Sequence, residues 1–273
     1  MKTIFVQVNN DVPEAVSAGL QLQAFCADQG IAWGNDARAA DLIVALGGDG
    51  TLLRTVHATQ AFEAPYLSVR FGRLGFLSGA EPANLIEAVS AALEGKAPIE
   101  SHTMLKVRTF SAAGELACNF AINELVLRTA GSHMLTTRVI INGHTFCEVS
   151  GDGLIVATAT GSTAYALSAG GPVLAPSFEG AEIVALAPHT LVDRAVVTSR
   201  TDRIRIELPD PTRAAAALLF DGKPLETFRV RVTALEASIA DEALNLVKFS
   251  THTTYEMVAR EFFRLNQAGV AAE

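Results

Sequence analysis

Cysteine is scarce in this chain. Cys26, Cys118 and Cys147 are spread over 273 residues with no CxxC pair among them. An odd count at such spacing excludes a disulfide framework and a zinc knuckle, and it fits a reducing compartment with buried or half-buried thiols. Cations are also few: 21 Lys and Arg stand against 29 Asp and Glu, a formal charge of −8. That balance argues against adhesion to nucleic acid or to an anionic membrane. An anionic ligand must then be held locally, by a glycine loop or a few placed cations. No apolar run approaches the roughly 20 residues of a membrane span. Met1 to Val8 lack a signal peptide's apolar core and cleavage site and read as a first strand. The expectation is a soluble, cytoplasmic protein. With 18% charged and 49% apolar residues the composition is globular, and at roughly 150 residues per domain the length suggests two domains or one large one.

The first hundred residues alternate between strand and helix patterns. After the strand at 2–8, Asp11-Val12-Pro13-Glu14 has the spacing of a capping box with Asp11 as N-cap, and the helix it opens should end at Gly30. Leu42–Leu46 is short and wholly apolar, as expected of a strand buried on both faces. A helix from Thr51, a strand at Tyr66–Phe71 and a helix begun by Glu81-Pro82-Ala83-Asn84 follow. This alternation implies a parallel sheet with right-handed crossovers. Beyond residue 100 the segments read as strands: Leu105–Phe110, Ala121–Leu127, Arg138–Ile141, Leu154–Thr158, Glu182–Leu186, Ile204–Leu208 and Phe228–Val232. Asn142-Gly143 signals a hairpin turn of type I′. From His252, an apolar stripe of Tyr255, Val258, Phe262 and Leu265 at helical spacing reads as a core or docking surface.

Two glycine-rich segments carry the chemistry. Gly47-Gly48-Asp49-Gly50-Thr51 follows the strand ending at Leu46 and opens a helix. Ligands of open α/β sheets bind beyond the carboxyl ends of the strands, where bare glycine amides and a helix N-terminus suit phosphate. Asp49 is the anomaly, because a carboxylate among phosphate-binding amides is repelled unless it has a task, such as accepting a proton or holding a metal. The alternative is a tight turn in which Asp49 only caps the helix. Neither a GxGxxG fingerprint nor a GxxxxGK[ST] loop is present.

The second segment, Gly151 to Pro172, brackets a strand with glycine turns and offers hydroxyls at Thr160, Ser162, Thr163, Tyr165 and Ser168. Hydroxyls and backbone amides suit ribose and base edges. No G-x-S-x-G elbow makes either serine a nucleophile. Asn123-Glu124, set inside the apolar run Ala121–Leu127, needs partners or a ligand if buried.

Together these motifs resemble the NAD kinase family. The resemblance rests on the GGDGT turn at Gly47–Thr51, Gly72-Arg73-Leu74-Gly75-Phe76-Leu77, Asn123-Glu124, the long block Asp152–Pro172, Pro188-His189-Thr190-Leu191 and Phe220-Asp221-Gly222, and it covers roughly residues 40 to 222. GGDGT alone is only moderately specific; the 152–172 block is highly so. The resemblance implies phosphoryl transfer, usually from ATP with Mg²⁺ or another divalent metal, to the 2′-hydroxyl of the adenosine ribose of NAD. By resemblance Asp49 is the general base, worth roughly 10²–10⁴-fold at an ordinary pKa. Gly47, Gly48, Gly50, Thr51 and Arg70 are the candidates for ATP phosphates. Asp49, Gly50, Asn123, Glu124, Asp152, Thr160, Thr163, Ala164, Tyr165 and Ser168 are those for NAD, with Asn123 and Glu124 on ribose hydroxyls. No protein residue is assigned to a metal.

The resemblance further implies an α/β domain over 1–100 and a β-rich, NAD-binding domain over 101–250. A C-terminal helix over 251–273 returns to the first domain, the site lies between the domains, and the assembly is a homodimer or homotetramer. Two positions depart from the family pattern: Arg70 replaces an Asn or His, and Ser150 replaces a basic residue. Arg70 is therefore expected to reach the donor phosphates or Asp49 and to compensate for the cation missing at Ser150. The competing readings are a related kinase acting on a lipid or nucleoside, and a non-catalytic dinucleotide-binding regulator. The acidic balance and the intact block argue against the first, and the retained Asp49 against the second.

Overall fold

Alternating strands and helices in the first hundred residues build a parallel sheet. A computed structural model describes residues 1–72, 75–131, 133–189, 194–209, 216–225, 232–249 and 253–262. It forms two compact units, one of Met1–Ser101 with Leu244–Glu273, the other of His102–Ala243. In the first unit, β1 (Thr3–Val8) lies between β2 (Ala32–Gly34) and β3 (Leu42–Leu46), and β3 pairs with β4 (Tyr66–Val69). All these pairings are parallel. The end of a long strand, β16 (Ala234–Val247), joins β4 in parallel at Leu246. Every residue of β3 is buried, which is why its sequence is an unbroken apolar run. Helices α1 (Pro13–Gln29), α2 (Asp49–Thr59) and α3 (Leu85–Leu93) complete the unit, whose core joins Ile4, Leu22, Val44, Leu67, Val89 and Val247.

The second unit is antiparallel. Strands β7 (Glu124–Thr129), β10 (Gly153–Thr158), β11 (Gly180–Leu186), β12 (Val196–Ser199), β14 (Ala216–Phe220) and β15 (Lys223–Pro224) form one sheet in the order β12-β11-β10-β7-β14-β15. The other sheet holds β13 (Ile204–Glu207) between β16 and β8 (Leu135–Ile141), with β9 (His144–Gly151) on the far side of β8. There β5 (Ile99–Ser111) pairs with β16 and with β6 (Gly114–Ala121). One core cluster draws Leu105 and Leu235 from this sheet together with Leu125 and Val156 from the other. The β8–β9 hairpin turns at Asn142-Gly143, both at positive φ (51° and 81°), as the type I′ turn requires.

Several local expectations are corrected. Asp11 does not cap α1: the N-cap is Val12 without a side-chain bond, Pro13 removes one donor from the first turn, and the Asp11 amide is taken by Asn9. Gly30 does end the helix, in the left-handed conformation. Helix α2 starts at Asp49 rather than Thr51, and β4 stops at Val69. Ala121–Leu127 is two strands broken at Ile122-Asn123. Cys26 is buried and Cys147 half-buried, but Cys118 is exposed. Helix α5 (Thr254–Phe262) exists, yet it buries Met257 and Val258 while Tyr255 is exposed. The Phe262 side chain, Leu265, Thr190-Leu191, Arg73-Leu74 and most of the Phe228–Val232 strand lie outside the described residues. Among the described residues no helix is long and apolar enough to cross a membrane.

Candidate active site

In the first unit, the GGDGT turn sits where β3 ends, and the Gly47 amide donates to Val69 O at 2.9 Å, so the turn and the end of β4 share one rim of the sheet. Asp49 is the first residue of α2. Its Oδ2 accepts from the Phe76 amide at 2.8 Å and the Leu77 amide at 3.3 Å. Gly75 makes this approach possible: a Cβ there would stand 2.2 Å from Asp49 Oδ1. Oδ1 itself is buried and has no hydrogen-bond partner; Ser78 faces the carboxylate, but its hydroxyl closes no bond with it. Burial raises the Asp49 pKa above the ordinary carboxylate value, opposed by the Leu77 and Phe76 amides and by the nearby Lys248 ammonium. A free, withdrawn oxygen of raised basicity is what a general base needs. A carboxylate of ordinary pKa, the expectation from sequence, is weaker.

Arg70 shares the rim with Asp49 but does not reach it. Its guanidinium pairs with Glu81 and donates to Gly72 O at 3.3 Å, because the chain after β4 bends towards the start of the next helix. The cation beside the GGDGT turn is instead Arg54, one turn along α2, donating to Thr51 Oγ1 at 3.1 Å and lying against Gly50. The sequence signal for this contact is the three-residue spacing of Thr51 and Arg54 on a helix. Gly48 and Gly50 are exposed and Thr51 is buried.

In the second unit, Asp221 organises the Asn123-Glu124 bend. Its carboxylate accepts from the amides of Ile122 (2.9 Å), Asn123 (2.7 Å) and Glu124 (3.1 Å). Thr158 takes the carbonyls from the other side, its amide bonding Asn123 O and its hydroxyl Ile122 O at 2.6 Å. Gly161 lies so close that a Cβ would sit 2.0 Å from Asn123 O. The costly polar pair of the sequence is thus a clamped bend, with Asn123 half-buried and Glu124 buried. Burial, and then the like charge of Asp221, push the Glu124 pKa up to about 7, against the opposing Tyr165 amide. Glu124 Oε2 has no partner.

The hydroxyls of the 160–168 block divide into two groups. Ser162 donates to Ala159 O and accepts from the Leu174 amide, while Thr163 donates to Thr160 O at 3.1 Å. These two knit the block together rather than offering donors to a ligand. Thr160 meets His102 Nδ1 at 2.9 Å. Ala164 is half-buried between Thr163 and helix α4 (Tyr165–Ser168). Tyr165, Ser168 and Asp152, by contrast, line one cavity of about 570 Å³ together with Arg128 and Thr129. Ser150 is tied to the Thr136 hydroxyl at 3.0 Å. Behind this face lies Glu182 on β11, fully buried, with neither carboxylate oxygen partnered and a pKa raised to about 7 by burial. Nothing in its flanking sequence marked it.

Among the described residues no group of three His, Cys, Asp or Glu side chains is placed to hold a metal ion. The sequence matches two family models in order: the ATP-NAD kinase N-terminal domain over residues 34–97 and the C-terminal domain over 122–246. An NAD kinase of Heliobacterium modesticaldum is 32% identical over 244 residues, covering 82% of this chain and 86% of its own length. One from Psychrobacter arcticus is 37% identical over 185 residues, covering 67% of this chain but only 57% of its own length. Two solved structures share the fold. Yeast NADH kinase complexed with NADH has a TM-score of 0.82 at 20% identity, over 100% of this chain and 90% of its own. An NAD kinase from Archaeoglobus fulgidus in complex with ATP has a TM-score of 0.72 at 23% identity, over 92% and 94%. Matched along most of both sequences by a relative at this identity, and by both domain models in order, the chain belongs to the NAD kinase family.

Proposed function

We propose that this chain transfers the γ-phosphoryl group of ATP to the 2′-hydroxyl of the adenosine ribose of NAD, giving NADP and ADP. The observation that carries this reading is Asp49: a carboxylate at a glycine turn, with one oxygen held by two amides and the other buried and unpartnered. In the reaction the ribose oxygen bonds to the γ-phosphorus, the bond from that phosphorus to the β,γ-bridging oxygen breaks, and the hydroxyl proton passes to Asp49 Oδ1. Glu124 and Asn123 orient the ribose through its hydroxyls, and the Asp152–Tyr165–Ser168 cavity takes the remainder of the dinucleotide. The exposed amides of Gly48 and Gly50, with Thr51 and Arg54, receive donor phosphates. Mg²⁺ arrives as part of the ATP substrate and neutralises phosphate charge. Arg70, held by Glu81, contributes to that field only from a distance.

The test is direct. The protein is incubated with ATP, Mg²⁺ and NAD, and NADP is detected with an NADP-specific dehydrogenase. Parallel reactions offer NADH, a nucleoside and a diacylglycerol as acceptors. NADP formation that needs both ATP and Mg²⁺ is expected; turnover confined to the lipid or the nucleoside would overturn the assignment. The same reading makes the protein a cytoplasmic homodimer or homotetramer, measurable by light scattering.

A further inference from the structure

Lys248 lies just beyond the end of β16 and is absent from every motif noted in the sequence. Its side chain is only 12% exposed. Nζ donates to Phe76 O at 3.2 Å and pairs with Glu100 at 3.7 Å. The main chain on either side is fixed: the Lys248 amide donates to Pro98 O at 2.9 Å, and the Phe249 amide to Gly79 O at 2.8 Å. Gly79 presses so closely on this stretch that a Cβ would stand 2.0 Å from Val247 O. The Phe76 residue is therefore held at both of its main-chain polar groups. Its N–H goes to Asp49 and its carbonyl to Lys248.

We propose that Lys248 is a positioning residue for Asp49: by gripping Phe76 O it holds the 75–78 segment against the carboxylate, so that Oδ2 is occupied by amides and Oδ1 is left to face the acceptor hydroxyl. The inference rests on Asp49 being the base. A carboxylate on the first residue of a helix otherwise has freedom about χ1 and χ2, and either oxygen could turn to its own helix amides as a cap. Fixing the loop from behind removes that option without a side chain touching the reacting atoms. The ammonium adds a second effect. The groups facing Asp49 are the Phe76 and Leu77 amides, Ser78 and Lys248, with Glu100 facing Lys248 from β5. Among the described residues Lys248 is the cation facing Asp49, and it favours the ionised, proton-accepting form.

Two variants separate the hydrogen bond from the charge. Lys248→Met removes both, and Lys248→Gln keeps a donor without charge. Hydrogen-exchange mass spectrometry of the 75–79 amides reads the clamp with no dependence on activity, and steady-state kinetics across pH reads the base. For Lys248→Met the expectation is faster exchange and roughly a tenfold fall in kcat, with KM for NAD and ATP within about threefold. The acidic limb of kcat should also move to higher pH. Lys248→Gln should regain exchange protection while its acidic limb stays displaced. If Lys248→Met does not fold, the displaced limb of Lys248→Gln decides the matter. Wild-type exchange together with a wild-type acidic limb in the folded variants would overturn the proposal. Should Asp49→Asn itself retain turnover, it is the base assignment that falls, and the exchange measurement still decides whether the clamp exists.

Discussion

Asp49 in the first unit and Glu124 in the second are both carboxylates withdrawn from water, and both have one oxygen without a partner. Their surroundings differ. Asp49 has two amides and an ammonium favouring its charge. Glu124 has the Tyr165 amide in its favour and the Asp221 carboxylate against it, and sits at about 7. Glu182, close behind the same face of the second unit, has no compensating group and reaches a similar value. The side-chain chemistry is nearly identical, so the role of each follows from what surrounds it. Burial raises all three; two amides and a cation oppose it at Asp49, a like charge adds to it at Glu124, and no charged group opposes it at Glu182.

The sharpest way to break this comparison is Asp49→Asn. The amide side chain can still accept from Phe76 and Leu77, so the fold and NAD affinity should persist while kcat falls by at least roughly 10²-fold. Near-wild-type turnover in the purified variant would end the distinction. Glu182→Met tests the uncompensated case. Its folded pKa of about 7 lies above the ordinary 4.5, so the folded state holds the proton more tightly than the unfolded chain. Stability is therefore fully present below the ordinary value and is lost as pH rises through the folded one. The variant lacks that slope and should be more stable than the parent at pH 8 by about 2 kcal/mol, with a smaller difference at pH 5. Glu124 titrates in the same window but is common to both proteins and cancels in the difference. Urea melts at the two pH values check it.

Glu124→Gln should raise KM for NAD by roughly fivefold, the difference between a charged and a neutral acceptor. In the parent, KM should fall as pH rises through about 7, where Glu124 ionises, and in the variant it should be flat. The smallest effect is expected from Arg70→Asn. With its guanidinium already given to Glu81, kcat/KM for ATP should change by less than about threefold, measured with ATP varied at saturating NAD.

Much of this was legible in sequence where local rules govern. The buried run at Leu42–Leu46, the cap at Gly30 and the Asn142-Gly143 turn each follow from residues close together in the chain. Strand β16 was missed because its alanines and acidic residues have low strand propensity, and its pairing with β13 and β4 overrides that preference. The site divides in the same way. Asp49, Asn123 and Glu124 announce themselves by polarity in the wrong place. Lys248 looks like an ordinary surface charge until distant segments meet, and the Phe220-Asp221-Gly222 motif marks Asp221 without showing that it grips the amides of residues 122–124. Arg70 shows the opposite: it lies on the rim as expected, but its guanidinium pairs with Glu81, eleven residues on, a partner its neighbours in the sequence did not reveal.

Asp221 grips residues 122–124 through main-chain amides alone. Every amino acid except proline brings the same N–H to that grip. The side chains at these positions are therefore released from the duty of shaping the bend, and position 123 becomes a site where evolution, or a designer, can exchange one side chain for another while the backbone stays put. A saturation library at Asn123 should contain many well-folded proteins with altered acceptor preference, and proline should be the substitution it excludes for reasons of fold.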